Sequence, residues 1–416
     1  MAKTLRNLYD ELRLKHGASG GEQMVAKLAQ MLVGYAVDAK ASDVHVEPGA
    51  AGARIRYRID GVLHELLDLP RDVSDSLVRS LKVQANMSTD AVGRSKPQDA
   101  RIALDIDGRA VDLCLSSFPT VLGDTLAVRV LDRSAARLSL EQLGVPADLS
   151  QEFQRLIERP NGVILVTGPS GSGKTTTLYA SLDTLHSPSV KIVTIEDPVE
   201  YQLEGIDQAQ VNAQIGFTFS SGLSAMLRQD PDIILVGDLS DRQTADIGIR
   251  AALTGHLVFS SLHTRHSCGA VTRLLDMGIE PHLITASVSA IVAQRLVRTL
   301  CSECAMPDSN AAAAFERIWT KATSAPVPDL SGAAFQRVAG CPACQGTGYQ
   351  GRTGIFELLA FTDPLKHAVL DGGGQLYNTA LANGLRTMLV DGLEKAGEGI
   401  TTIEEVLRVT EAAETA

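Results

Sequence analysis

The chain has 416 residues, with 38 Lys plus Arg against 49 Asp plus Glu, a formal net charge of -11 that argues against a basic sheath around nucleic acid. A hydrophobic content of 44% suffices for sizeable cores, and at about 150 residues per domain the length predicts two or three of them. No run reaches the roughly 18 apolar residues of a membrane-spanning helix, and Met1 to Asp10 leads into no apolar signal core, so an intracellular, soluble protein is expected; aromatic residues at 4% disfavour a stacking platform for single strands.

From Glu22 to Tyr35, Val25, Leu28 and Leu32 recur at helical spacing, which predicts a short amphipathic helix. Alternating runs follow at Ala53 to Ile59 and Ala110 to Leu115, with Asp60-Gly61 and Asp107-Gly108 as turn signals. Residues 1–137 therefore read as a small α+β domain, and 138–150, with Gly144 and Pro146, as a linker. Beyond it, short apolar runs alternate with helical-length segments: Val163 to Thr167, Lys191 to Ile195, Ile233 to Val236 and Leu257 to Ser260. Such alternation predicts an α/β domain over 151–297, a mainly parallel sheet covered on both faces. Residues 298–350 carry four cysteines around a loosely structured middle (Ala311 to Ala314, then Pro326 and Pro328), and 351–416 read as a helical region with Gly384, Gly392 and Gly399 as punctuation and a frayed end.

Gly168, Pro169, Ser170, Gly171, Ser172, Gly173, Lys174 and Thr175 fit the phosphate-loop pattern G-x-x-x-x-G-K-[ST], after an apolar strand and before a helix-compatible segment opening at Thr176. Glycines let backbone N–H groups close around phosphate oxygens at a helix N-terminus; Lys174 is expected to reach the β and γ phosphates and Thr175 to hold Mg²⁺. Hydrolysis further needs a carboxylate near the attacking water. Two strands offer one: Ile233 to Val236 runs into Gly237-Asp238, and Ile192 to Ile195 into Glu196-Asp197 with Glu200 behind. Single acids at strand ends are usually solvated caps; two such strands after a phosphate loop favour function. His256 and His263 bracket the strand at Leu257, so His263 falls at its C-terminal end, where ligands of open α/β sheets bind, or is a hydrogen-bonded structural imidazole.

Cys301/Cys304 and Cys341/Cys344 are two C-x-x-C pairs 36 residues apart. In an intracellular chain they point to one structural Zn²⁺ with four thiolates, with buried free thiols or a redox pair as alternatives; Cys114 and Cys268 are left over as small buried hydrophobes.

These stretches resemble the secretion ATPases that power type II secretion and type IV pilus assembly. The resemblance runs from Ala41-Ser-Asp-Val-His-Val-Glu-Pro48 to Gly399-Ile-Thr-Thr-Ile-Glu-Glu405. It includes Pro97-Gln-Asp-Ala-Arg101, Thr194-Ile-Glu-Asp-Pro-Val-Glu-Tyr201, Ala252-Leu-Thr-Gly-His256, Ser261-Leu-His-Thr264 and Gln294-Arg-Leu-Val-Arg298. It implies a homo-hexameric ATP-hydrolysing ring, with ATP between a PAS-like N-terminal domain and a RecA-like P-loop domain. Inner-membrane platform and docking proteins are the implied partners, with no direct nucleic acid and membrane contact only through proteins, at the cytoplasmic face. It further implies Glu196 acting on water or Mg²⁺ beside Glu200, His256 and His263 near the γ-phosphate, and Arg101 and Arg129 as arginine-finger groups. It supports the zinc module, which assembly ATPases carry and retraction ATPases generally lack.

The chain departs from the family pattern in places. Asp238 and Ser240 stand where Glu and Arg are usual, Cys114 where Arg is usual, and Asp124 where Glu is usual. The domain by which longer members dock on their membrane partner is expected to be absent or reduced to Met1 to Gly21. A weakly hydrolysing, nucleotide-binding assembly subunit is therefore a second expectation, and a DNA-translocating ring a remote third.

Overall fold

The computed structural model of the chain describes residues 2–16, 21–90, 96–106, 108–132 and 138–410. These fall into two compact units, Met1–Ala136 and Arg137–Ala416.

The first unit begins with helices α1 (Ala2–His16) and α2 (Glu22–Asp38) and strands β1 (Ala41–Pro48), β2 (Gly52–Ile59) and β3 (Val62–Pro70). Helix α3 (Arg71–Gln84) and strands β4 (Gln98–Ile106), β5 (Arg109–Thr120) and β6 (Gly123–Asp132) complete it. The six strands form one antiparallel sheet in the order β3-β2-β1-β6-β5-β4. Alternation divides its faces: Val44, Tyr57, Leu113 and Val128 join the core beneath α2 and α3, where the Tyr57 hydroxyl donates to the Leu32 carbonyl at 2.6 Å. The opposite face carries Arg58, Asp43, Arg129, Cys114 and Arg101 in one cross-strand row, set by the registers Asp43↔Arg58, Asp43↔Arg129, Cys114↔Arg129 and Arg101↔Cys114.

The second unit is α/β. In chain order it contains α4 (Ala147–Ile157), β7 (Gly162–Thr167), α5 (Lys174–Leu185), β8 (Ile192–Glu196), β9 (Asp207–Gln210), α6 (Phe219–Met226), β10 (Ile233–Val236), α7 (Arg242–Leu253) and β11 (Leu257–Leu262). There follow α8 (Ser267–Asp276), α9 (Pro281–Ser287), β12 (Val288–Leu300), β13 (Met306–Pro307), α10 (Ala311–Ala322), β14 (Gln336–Arg337), β15 (Tyr349–Ala360), α11 (Asp363–Leu370), α12 (Leu376–Ala382), α13 (Met388–Gly397) and α14 (Ile403–Thr410). Seven strands make one sheet, β15-β12-β7-β11-β10-β8-β9, parallel except for the edge strand β15. Helix α5 packs on one face with Leu178 and Leu182, and α7 and α8 on the other with Ala245, Ile249 and Val271. This two-sided burial leaves every residue of β7 and β11 buried, their few hydroxyls included.

The structure corrects four sequence expectations. Residues 138–150 are no loose linker: Leu140 and Val145 are buried beside Phe153, and α4 starts at Ala147. Ala311 to Ala314 open a helix, since alanine is the best helix former and Phe315 and Trp319 anchor the turn that follows against Phe335. The region from 351 is not all helix, because the buried run Ile355 to Leu359, apolar but for Glu357, extends the sheet as β15, and β12 passes the expected boundary to end at Leu300. Gly392 lies inside α13, where an added Cβ would stand 2.5 Å from Val406, so it serves helix packing rather than a turn. The expected frayed end, 411–416, lies outside the described residues.

Candidate nucleotide site and metal cluster

Because β7, β11, β10 and β8 are parallel and adjacent, their C-terminal ends share one edge of the sheet, the place where open α/β sheets bind ligands. Thr167, Leu262, Val236 and Glu196 end these strands. The groups that follow, Gly168 to Thr175, His263, Asp238 and Glu200, are thereby gathered.

The loop closes over β7 through glycine conformations. Gly173 caps α5 with φ +88°, and at Gly168 a Cβ would stand 2.5 Å from the Gln294 carbonyl oxygen. Gln294 pins the loop, donating to the Ser172 carbonyl at 2.7 Å while accepting from the Thr177 hydroxyl at 2.7 Å. The Lys174 ammonium is buried, donating to the carbonyls of Gly168 (2.9 Å) and Pro169 (3.2 Å) and lying 3.5 Å from His263 Nδ1. Burial lowers its pKa, with Asp238 and Glu200 opposing. Thr176 follows Thr175 in the first turn of α5.

The acids divide. The Thr175 hydroxyl donates to Glu200 Oε1 at 3.2 Å, placing Glu200 beside the expected metal-binding hydroxyl. Asp238 has its pKa pushed up by burial, opposed by His263, Lys174 and the Ser240 hydroxyl, and its Oδ1 has no hydrogen-bond partner. Glu196 is turned inward: Thr194 donates to Oε1 at 2.5 Å, Gln208 to the same atom at 3.2 Å, and the Tyr179 hydroxyl to Oε2. It is 3% exposed, and burial pushes its pKa up against those three donors.

His256 does not join them. It precedes β11, its carbonyl accepting from the Gly162 N–H at the start of β7, with its Nδ1 2.9 Å from the Ala251 carbonyl. A six-residue strand separates it from His263, about 20 Å at the usual rise. Of the two expected histidines, His263 lies at the sheet edge that carries the loop and His256 at the opposite edge, because a strand cannot present both its ends at one edge. Arg101 and Arg129 share the exposed face of the first unit with Cys114 between them; Arg101 pairs with Asp112 (2.9 Å) and Arg129 with Asp43 (3.4 Å). Cys268 is buried, as expected, whereas Cys114 is half-buried.

Gln294, Tyr179 and Gln208 escape the sequence reading. Gln294 leaves a trace there, as the polar position that ends the apolar run Ala290 to Ala293; Tyr179 and Gln208 leave none.

The four cysteines converge. Sγ separations are 3.9 Å (Cys301 to Cys341), 3.7 Å (Cys304 to Cys344) and 3.8 Å (Cys341 to Cys344), and all four sulfurs lie within 4.8 Å of one another. A disulfide would need about 2.05 Å. Tetrahedral thiolates about 2.3 Å from one ion stand about 3.8 Å apart, so the donor set fits a four-coordinate metal. Burial raises the pKa of Cys301 and Cys304, whereas N–H groups of Cys341 and Gly348 and the neighbouring thiols bring Cys344 down to about 6 against its own desolvation.

The family model described as "Type II/IV secretion system protein" matches residues 18–408. The type II secretion system ATPase E of Vibrio cholerae serotype O1 is 46% identical over 387 residues, 93% of this chain and 75% of that protein. The type II secretion system protein HxcR of Pseudomonas aeruginosa is 43% identical over 388 residues, 93% of this chain and 77% of its own. Among solved structures, the pilus retraction motor PilT with bound ADP shares the fold at TM-score 0.63 and 24% identity, covering 91% of this chain and 96% of its own. The Legionella pneumophila ATPase DotB does so at 0.67 and 18%, covering 94% and 95%. The chain belongs to the type II/IV secretion system protein family.

Proposed function

We propose that this secretion-family ATPase is a homo-hexameric motor that powers pseudopilus or type IV pilus assembly, or type II protein secretion, from the cytoplasmic face of the inner membrane, held there by platform and docking proteins. The observation that carries it is the convergence of Lys174, Thr175, Glu200, Asp238 and His263 at one sheet edge around a phosphate loop. Phosphoryl transfer asks little of a protein beyond positioning and charge stabilisation. The loop N–H groups and Lys174 hold the β and γ phosphates. Thr175 and Glu200 would hold Mg²⁺, which when bound neutralises developing charge on the phosphates. Asp238, with Oδ1 unengaged, orients the attacking water, and His263 sits beside Lys174. Arg101 and Arg129 supply arginine-finger charge from the N-terminal unit, and Glu196 positions the site by fixing α5 against β8 and β9. The four cysteines hold one structural Zn²⁺; with four thiolates it leaves no open coordination position for catalysis.

The test is turnover by purified hexamer with Mg²⁺ and its membrane partner: activity well above a Lys174→Ala control supports the motor, and activity equal to that control overturns it. A second reading, an assembly subunit that binds ATP and hydrolyses it weakly, is favoured by the Ser240 hydroxyl bonding the Asp238 carboxylate and by Cys114 standing between two arginines in register. Asp238→Glu, Ser240→Arg and Cys114→Arg together should then raise turnover sharply; an unchanged rate sinks this reading.

A further inference from the structure

On helix α3, Arg71, Asp75, Val78, Arg79 and Lys82 recur at i, i+4, i+7, i+8 and i+11, which puts them on one helical face. That face lines a cavity of about 290 Å³ within the first unit, whose other walls come from β1, β2 and the turn from β5 into β6. No residue of the phosphate loop or of the cysteine cluster lines it. Lys82 lies in its wall, only 2% exposed, and its ammonium donates to Asp124 Oδ2 at 2.5 Å. Among the described residues that is the one hydrogen bond the ammonium makes. An ammonium carries three N–H donors, so two are left unmatched at a buried charge, an arrangement that opposes folding unless something else completes it. The neighbours do not complete it. Asp75 stands 4.0 Å from Arg71, and Arg79 makes no ion pair among the described residues. Three cations therefore meet two acids, both engaged, and the surplus at the cavity is positive. The rest of the wall is largely apolar, with Val46, Pro48, Val78 and Leu122. A bare ion would fill a small part of this volume, which stands at the lower end of the range for small-molecule cavities, about 300–1,000 Å³.

We propose that this cavity binds a small organic acid: its carboxylate or phosphate head takes the free Lys82 donors and the Arg79 guanidinium, and a short apolar body lies against Val46, Val78 and Leu122. The phosphate loop contributes no wall, so loss of the ATP reading would leave this site standing.

Isothermal titration of the full chain, in Mg²⁺ and excess ADP to occupy the phosphate loop, uses hexanoate, hexyl phosphate and the neutral hexanol as probes, in wild type, Lys82→Met and Arg79→Gln. The expected result is saturable binding of at least one of the two acids by wild type, about tenfold or more tighter than hexanol, weakened about tenfold in Lys82→Met and about threefold in Arg79→Gln. Tighter hexanoate assigns a carboxylate head and tighter hexyl phosphate a phosphate head; either supports the site. It is overturned if neither acid binds saturably, if hexanol binds as tightly as both acids, or if either folded variant binds as wild type does. If Lys82→Met does not fold, Arg79→Gln, whose side chain is exposed, decides alone.

Discussion

One hydroxyl separates the roles of two glutamates that the sequence places in the same box. Glu200 meets Thr175 at 3.2 Å, whereas both oxygens of Glu196 are taken by Thr194, Gln208 and Tyr179. Glu200→Gln should therefore lower turnover roughly 100-fold while leaving ADP affinity near wild type, the pattern of a group acting on the reacting centre. Tyr179→Phe should act through stability, since removing one donor from a buried carboxylate costs about 1–3 kcal/mol, read as a lower unfolding midpoint in urea. His256→Ala should leave nucleotide affinity within about twofold of wild type, because its imidazole lies a strand length from the loop; a tenfold loss would contradict that placement. The phosphate loop was legible in the chain because its glycines, lysine and threonine fall at fixed local spacing between an apolar strand and a helix. The inward turn of Glu196 was not, because it depends on Gln208 and Tyr179, partners from β9 and α5 that no local spacing announces.

At the level of elements, the second unit is closed by antiparallel pairing of β15 with β12 and by α14 lying against β12. Glu405 on α14 is 1% exposed and accepts from the Arg298 backbone, the Arg298 guanidinium (3.0 and 2.8 Å) and Arg408 (2.7 Å to each carboxylate oxygen). Desolvation raises its pKa, but the Arg408 and Arg298 bonds prevail and bring it to about 2, below an ordinary 4.5. A depressed folded-state pKa stabilises above the unfolded value, so this contribution is complete above about pH 5 and fades as pH falls from 4.5 toward 2. A difference of about 2.5 pKa units corresponds to about 3 kcal/mol. Glu405→Gln should thus be destabilised on that order at pH 7 and match wild type near pH 2; a gap that persists in acid would assign the effect to packing. The apolar strands β7, β8, β10 and β11 were readable from their composition. Strand β15 was not, since its exposed outer half, Gln350 to Thr353, is polar and glycine-broken and only pairing with β12 makes it a strand.

For the molecule as a whole, the charge of -11 takes on a further term, since four thiolates on one Zn²⁺ would add about -2. Sulfurs 3.7–3.9 Å apart stand at the spacing of four thiolates around one ion, so Cys301→Ser or a strong chelator should release about one equivalent of zinc and lower the melting temperature by several degrees, whereas a zinc content near zero in freshly purified protein would refute the assignment. None of the helices among the described residues is long and apolar enough to cross a membrane, and attachment through protein partners accords with that. The two units were separable in the sequence by the change from alternating to continuous apolar runs, while the packing of 138–150 was hidden because Leu140 and Val145 fill a core whose other members come from α4, α5 and the sheet. The central claim is that the edge carrying Lys174, Thr175, Glu200 and Asp238 hydrolyses ATP. Steady-state release of inorganic phosphate by the assembled chain, with Mg²⁺ and partner, compared with Lys174→Ala and Glu200→Gln at equal concentration, tests it most directly. Turnover in wild type and its loss in both variants is the expected result; three indistinguishable rates would contradict ATP hydrolysis at this edge.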